Sequence, residues 1–128
     1  MSIKVLVVED DHLLRAMAVE ALSDEGFEVL EAATAREALE RCQEHAMDVL
    51  FTDIRLPGDM TGWDIAEHCR QTDPDLPVVY ATGFSHVAAR PVPGSLWFQK
   101  PYRPEQIVHA IRDLTAKTDT GTSASRAG

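Results

Sequence analysis

Apolar and polar positions along this chain fall into two alternating kinds of block. Ile3–Val8 is apolar throughout apart from Lys4, the pattern of a strand buried on both faces. Leu13, Leu14, Met17, Ala18, Ala21 and Leu22 then recur at helical spacing and predict one apolar helix face. Gly26 follows as a helix C-terminal residue, because it tolerates positive φ. Phe27–Glu31 predicts a second strand. Thr34-Ala35-Arg36-Glu37 is a capping-box pattern that opens a helix to about His45, with Ala38, Leu39 and Cys42 inward. A third strand, about Asp48–Thr52, ends at Asp53. The next helix, about Gly62–Gln71, should bury Trp63, Ile65, Ala66 and Cys69 before Asp73-Pro74 and Leu76-Pro77 stop it. Val78–Thr82 and Leu96–Gln99 predict the fourth and fifth strands. Pro104 suits the first turn of a final helix with Ile107, Val108, Ile111 and Leu114 on its inner face.

Five strands alternating with helices predict an α/β domain with a parallel sheet and right-handed crossovers. The stretch Gly83–Ser95 breaks the rhythm, since it contains Pro91, Pro93 and Gly94. At most, Phe84–Arg90 makes two turns there. Thr118–Gly128 is polar and rich in small residues, so the expectation is a domain over 1–117 and a disordered tail. A length of 128 residues suits one domain with one core, and no internal repeat is visible.

Composition removes several function classes. Hydrophobic residues make up 45% and charged residues 26%, an ordinary globular balance. No apolar run approaches the roughly 20 residues that span a bilayer, and no leader pattern opens the chain, so a cytoplasmic location without membrane contact is expected. The net charge of −9 argues against a nucleic-acid partner, because phosphate binding needs clustered Lys and Arg. Cys42 and Cys69 lie on separate helices without metal-ligand spacing and read as reduced core thiols. His12, His45, His68, His86 and His109 also lack ligand spacing; His12 and His86 fall nearest the strand ends discussed next.

Those ends carry the candidate chemistry. Glu9-Asp10-Asp11 follows the first strand, Asp53 ends the third, Thr82 ends the fourth and Lys100-Pro101 follows the fifth. In an open parallel sheet this edge is where ligands bind. Two unit charges at 4 Å interact by roughly 4 kcal/mol at an effective dielectric of 20, so clustered carboxylates invite a divalent cation. Each residue also has a plainer use. Asp53 can cap a turn, Glu9 and Asp10 can favour a helix N-terminus, Thr82 can be a strand residue and Lys100 a surface cation. Asp11 fits the start of the helix better than a metal.

Taken together and in order, Val7-Val8-Glu9-Asp10, Asp53 with Pro57 and Gly62, Ala81-Thr82-Gly83, and Lys100-Pro101 resemble the receiver domain of two-component response regulators over about residues 3–116. The resemblance implies a flavodoxin-like (CheY-like), doubly wound five-stranded parallel sheet in three layers, here with the fourth helix short or irregular. It implies that Asp53 is the phosphoacceptor for a sensor histidine kinase or a histidine phosphotransfer protein. Glu9, Asp10, Asp53 and the backbone carbonyl of Arg55 would hold Mg²⁺ (or Mn²⁺), Asp10 directly and Glu9 through water. Thr82 and Lys100 would contact the phosphoryl oxygens, and the Lys100–Pro101 peptide is often cis in the family. Such a domain is not an enzyme on other substrates; its output here would be binding to an unknown protein. The alternatives are a phosphate shuttle or sink, or a receiver taken from a hybrid histidine kinase.

The chain departs from the family pattern in places. The interval from Thr82 to Lys100 is a few residues short, which puts the usual output face in doubt. Trp97 stands where Tyr or Phe is usual, and either stays fixed or acts as a switch by a different movement. Gly83 replaces the usual Ala, and the loop after Asp53 is one residue longer. Arg55 and Phe84 fall where the family tunes phosphoryl lifetime, and a bulky Phe84 would slow hydrolysis. Aspartate-based phosphatases resembling haloacid dehalogenases carry a second Asp where this chain has Arg55. A nucleotide-binding module would need a Gly-rich loop after the first strand, where Glu9-Asp10-Asp11 stands.

Overall fold

The computed structural model describes residues 2–83 and 89–120, with side chains described through residue 116. The element order is β1 (Lys4–Val8), α1 (His12–Asp24), β2 (Glu28–Ala32), α2 (Ala35–Glu44), β3 (Val49–Asp53), α3 (Gly62–Thr72), β4 (Val78–Thr82), β5 (Leu96–Gln99) and α4 (Pro104–Thr120). All five strands are parallel in the order β2-β1-β3-β4-β5. The order reverses between β1 and β3, so the crevice for a ligand opens at their C-terminal ends.

Side chains alternate across the sheet and build two cores. Leu6, Val8, Leu50, Val78 and Tyr80 face α2 and α3. Val5, Val7, Val49, Phe51, Val79 and Ala81 face α1 and α4. This double burial is why the strands read as unbroken apolar runs rather than as alternation.

Helix ends follow the local chemistry. The Asp11 side chain caps α1 by accepting from the Leu13 and Leu14 amides, as its sequence position suggested. At the other end Gly26 takes φ 94°, while the Gly26 and Phe27 amides close onto the Ser23 and Leu22 carbonyls. Thr34 caps α2, but Glu37 reaches the Ala33 amide rather than that of the cap residue. Thr61 and Asp64 form a reciprocal capping box on α3.

Two expectations need adjusting. Leu13 and Met17 are 67% and 46% exposed, because the inward stripe of α1 runs through Ala18 and Leu22 and leaves them on its flank. The final helix runs to Thr120, so residues 118–120, expected to belong to the disordered tail, are helical. Residues 121–128, the rest of the expected tail, lie outside the described residues. So do Phe84–Ala88, which hold most of the short helix considered between β4 and β5, together with Phe84 and His86. Among the described residues, Ala89–Ser95 form no helix, and four helices flank the sheet.

Ala89–Ser95 is nonetheless tied to α3. Arg90 pairs with Asp64 at 2.6 Å and Glu67 at 2.9 Å, and Arg70 donates to the Leu76 and Pro93 carbonyls. The Val92 amide donates to the Tyr80 hydroxyl at 3.2 Å. Among the described residues, no helix is long and apolar enough to cross a membrane.

Candidate functional site

Strand register assembles the site. Pairing of Val8 with Thr52 sets Glu9, the next residue along, beside Asp53. Pairing of Asp53 with Ala81, and of Thr82 with Gln99, carries the line across to Lys100. The Lys100 amide donates to the Thr82 carbonyl at 2.7 Å, and the Lys100–Pro101 peptide is cis. Three carboxylates, one hydroxyl and one ammonium, far apart in sequence, therefore meet at one sheet edge.

The third strand is fixed tightly where it ends. The Ile54 amide donates to the Ala81 carbonyl at 3.1 Å and the Gly62 amide to the Ile54 carbonyl at 2.8 Å. The hydroxyl of Thr52, a fully buried residue, donates to the Asp53 carbonyl at 2.8 Å. Gly62 begins α3 directly against that carbonyl, and a Cβ on it would overlap the Asp53 backbone. Glycine is needed at this point for close approach, not for an unusual φ.

Glu9 and Asp53 are 4% and 6% exposed. The Lys100 ammonium lies between them, 2.9 Å from Glu9 Oε1 and 3.1 Å from Asp53 Oδ2. Glu9 Oε2 also accepts from the Asp11 amide at 3.0 Å, so both its oxygens are engaged. Asp10 is exposed, and ligand atoms of Glu9, Asp10 and Asp53 all lie within 4.8 Å of one another. Among the described residues this is the one group of three or more His, Cys, Asp or Glu side chains that could hold a metal ion. A set made only of oxygens suits a hard divalent cation.

The charges are not balanced. Burial, and then the negative charge of Glu9, push the Asp53 carboxyl up to about 6, although Lys100 acts in the other direction. Burial alone would lower the Lys100 ammonium, but Glu9 and Asp53 outweigh it and hold it above its ordinary value. Burial and the charge of Glu9 push the neighbouring Tyr102 phenol up to about 12.

The remaining predicted residues are less tightly gathered. The Thr82 hydroxyl, at the rim, donates to the Gly83 carbonyl at 3.1 Å. Arg55 is exposed just past Asp53. Trp97 is 53% exposed and meets Trp63 edge-on, with ring centroids 5.7 Å apart. Sequence reasoning missed two supports. Arg15 donates to the Glu9 carbonyl at 2.9 Å while pairing with Glu31, and Tyr102 packs edge-on against Phe51 at 5.7 Å. Tyr102 stands two residues after Lys100, which was the available hint; Arg15 carries no local signal.

Because the folded-state pKa of Asp53 is raised, its ionised form costs stability above about pH 6. That cost fades as pH falls through 6 towards the ordinary value of 3.8. With divalent cations removed, Asp53→Asn should therefore be more stable than wild type by about 2 kcal/mol at pH 7.5. The difference should be close to zero at pH 4. Urea unfolding of both proteins at the two pH values measures it; equal stabilities at pH 7.5 would show that Asp53 is not strained by its surroundings.

Comparison with known proteins gives a consistent answer. The family model for the response regulator receiver domain matches residues 5–112. The response regulator receiver protein CpdR of Brucella abortus is 38% identical over 88 residues, 69% of this chain and 72% of that protein. The sensor kinase CckA of the same organism is 32% identical over 124 residues, which cover 92% of this chain but only 13% of the kinase. The crystal structure of a response regulator receiver protein from Sinorhizobium medicae superposes with a TM-score of 0.83 at 30% identity, covering 88% of this chain and 94% of that one. With Glu9, Asp53 and Lys100 converging at the ends of β1, β3 and β5, the chain belongs to the response regulator receiver domain family of two-component phosphorelay signalling.

Proposed function

We propose that Asp53 is the phosphoacceptor of this receiver, taking a phosphoryl group from the phosphohistidine of a sensor histidine kinase or a histidine phosphotransfer protein. One observation carries the proposal: a nearly buried carboxylate at a strand end is flanked by two further carboxylates and held by a single ammonium. An Asp53 oxygen attacks phosphorus, the phosphorus–nitrogen bond to the donor histidine breaks, and an acyl phosphate forms on Asp53.

Glu9, Asp10, Asp53 and the Arg55 carbonyl would hold Mg²⁺ (or Mn²⁺). When bound, the cation offsets the carboxylate charge and the charge that builds on the equatorial phosphoryl oxygens. The engagement of both Glu9 oxygens supports contact through water, and the exposure of Asp10 supports a direct one. Lys100 is already within hydrogen-bond reach of Asp53, so its ammonium meets a phosphoryl oxygen with little movement. The Thr82 hydroxyl needs only to leave the Gly83 carbonyl to do the same.

The domain chemically modifies itself and turns over no other substrate, and it works in the cytoplasm without nucleic-acid or membrane contact. Its output is altered binding to a protein partner. No feature of the site favours the relay, sink or kinase-borne alternatives. Trp97 is the candidate switch residue: it lies on the edge strand, against Trp63, three residues before Lys100.

Acetyl phosphate with Mg²⁺ should add one phosphoryl group to the wild type by intact mass and none to Asp53→Asn. An adduct on both proteins, or on neither, would remove Asp53 from the role. Beryllofluoride with Mg²⁺ should change tryptophan emission in the wild type and leave Trp97→Phe unchanged; a silent wild type would count against switching by Trp97.

A further inference from the structure

Far from the carboxylates, α2 and α3 bring two thiols together. Cys42 Sγ and Cys69 Sγ are 2.8 Å apart, although the residues are 27 positions apart in sequence. Both are free cysteines, Cys42 half-buried and Cys69 buried. A cavity of about 400 Å³ between the C-terminal halves of the two helices is lined by both cysteines, with Met47, His68 and Leu76 also in its wall. The sulfurs would have to approach by less than about 1 Å to reach disulfide bonding distance.

We infer that Cys42 and Cys69 form a peroxide-sensitive thiol pair that closes reversibly into an intramolecular disulfide. A metal site is the competing reading of two cysteines beside a histidine. Among the described residues, however, the acidic triad is the one group of three potential ligands close enough to share an ion, and it contains neither cysteine.

The pair also has a direction. A hydrogen bond from Cys69 lowers the Cys42 thiol against the effect of burial. The same bond, together with burial, pushes Cys69 up. Cys42 is therefore the thiol that ionises more readily and meets oxidant, and Cys69 holds its proton more firmly until it resolves the product. The Cys42 thiolate attacks one peroxide oxygen and the O–O bond breaks, giving a sulfenic acid and, after protonation, water. Cys69 sulfur then attacks the Cys42 sulfur, the S–O bond breaks, and a second water leaves with the Cys69 proton. Two electrons pass from the sulfurs to the peroxide. The bond would bolt α2 to α3, the helix whose first residue rests on the Asp53 carbonyl.

The test uses the full chain, freed of reductant and treated with hydrogen peroxide. It is then denatured, capped with N-ethylmaleimide, weighed intact and mapped by peptide. The expected product is lighter by two hydrogens, carries no maleimide and yields a Cys42–Cys69 linked peptide. Dithiothreitol should restore two maleimide adducts, and the oxidised form should melt about 10 °C higher than the reduced form. Two maleimide adducts after peroxide, oxygen added to either sulfur without a link, or disulfide-linked dimers would each overturn the inference. The mapping is done on the wild type, so no outcome depends on a cysteine variant folding.

Discussion

Lys100 stands between Glu9 and Asp53, one ammonium serving two nearly buried carboxylates. Asp53 ends β3 and Glu9 directly follows β1, and the parallel pairing of Val8 with Thr52 sets the two residues side by side. Without the lysine, like charges at hydrogen-bond range would repel by several kcal/mol in this setting. With it, the cluster remains short of positive charge, because Asp10 adds a third carboxylate and Asp53 stays pushed up to about 6. The fold thus holds a deficit of positive charge at a fixed place. Cation binding is the event proposed to answer it and to prepare the site for the added negative charge of a phosphoryl group, and the sheet supplies the rigidity that keeps the geometry ready.

Much of this is legible in the amino-acid sequence. The strands were readable because both faces of the sheet are covered, which forces continuous apolar runs such as Val5–Val8. The site was readable because polar chemistry stands at the C-terminal ends of β1, β3, β4 and β5, and a parallel sheet brings such ends together. Other features depend on tertiary contacts with no local signature. Leu13 and Met17 share a helical period with the buried residues of α1, yet α1 turns them to its flank. Arg15 reaches the Glu9 carbonyl only because α1 packs back over β1. Cys42 and Cys69 look unrelated in sequence, and only the packing of α2 on α3 makes them neighbours.

The region after β4 shows how a shortened connection is managed. Arg70, Arg90 and Tyr80 secure Ala89–Ser95 to α3 and β4 by side-chain hydrogen bonds and ion pairs. The exposed Arg90 pairs add little stability individually, but together with the Tyr80 contact they fix where the segment runs. This leaves β5 as an edge strand with Leu96 and Trp97 open to solvent. Trp63, buried beneath Trp97 and packed on Tyr80 at 4.5 Å, joins that edge to the helix that starts at the Asp53 carbonyl.

The charge deficit itself is the central claim, and thermal unfolding with and without Mg²⁺ at pH 7.5 tests it most directly. Mg²⁺ at roughly ten times its Kd should raise the wild-type midpoint by about 4 °C. Asp10→Asn should lose most of that rise, because it removes the exposed carboxylate and leaves the Lys100 pairs in place. A wild type indifferent to Mg²⁺, or an equal rise in the variant, would contradict the account.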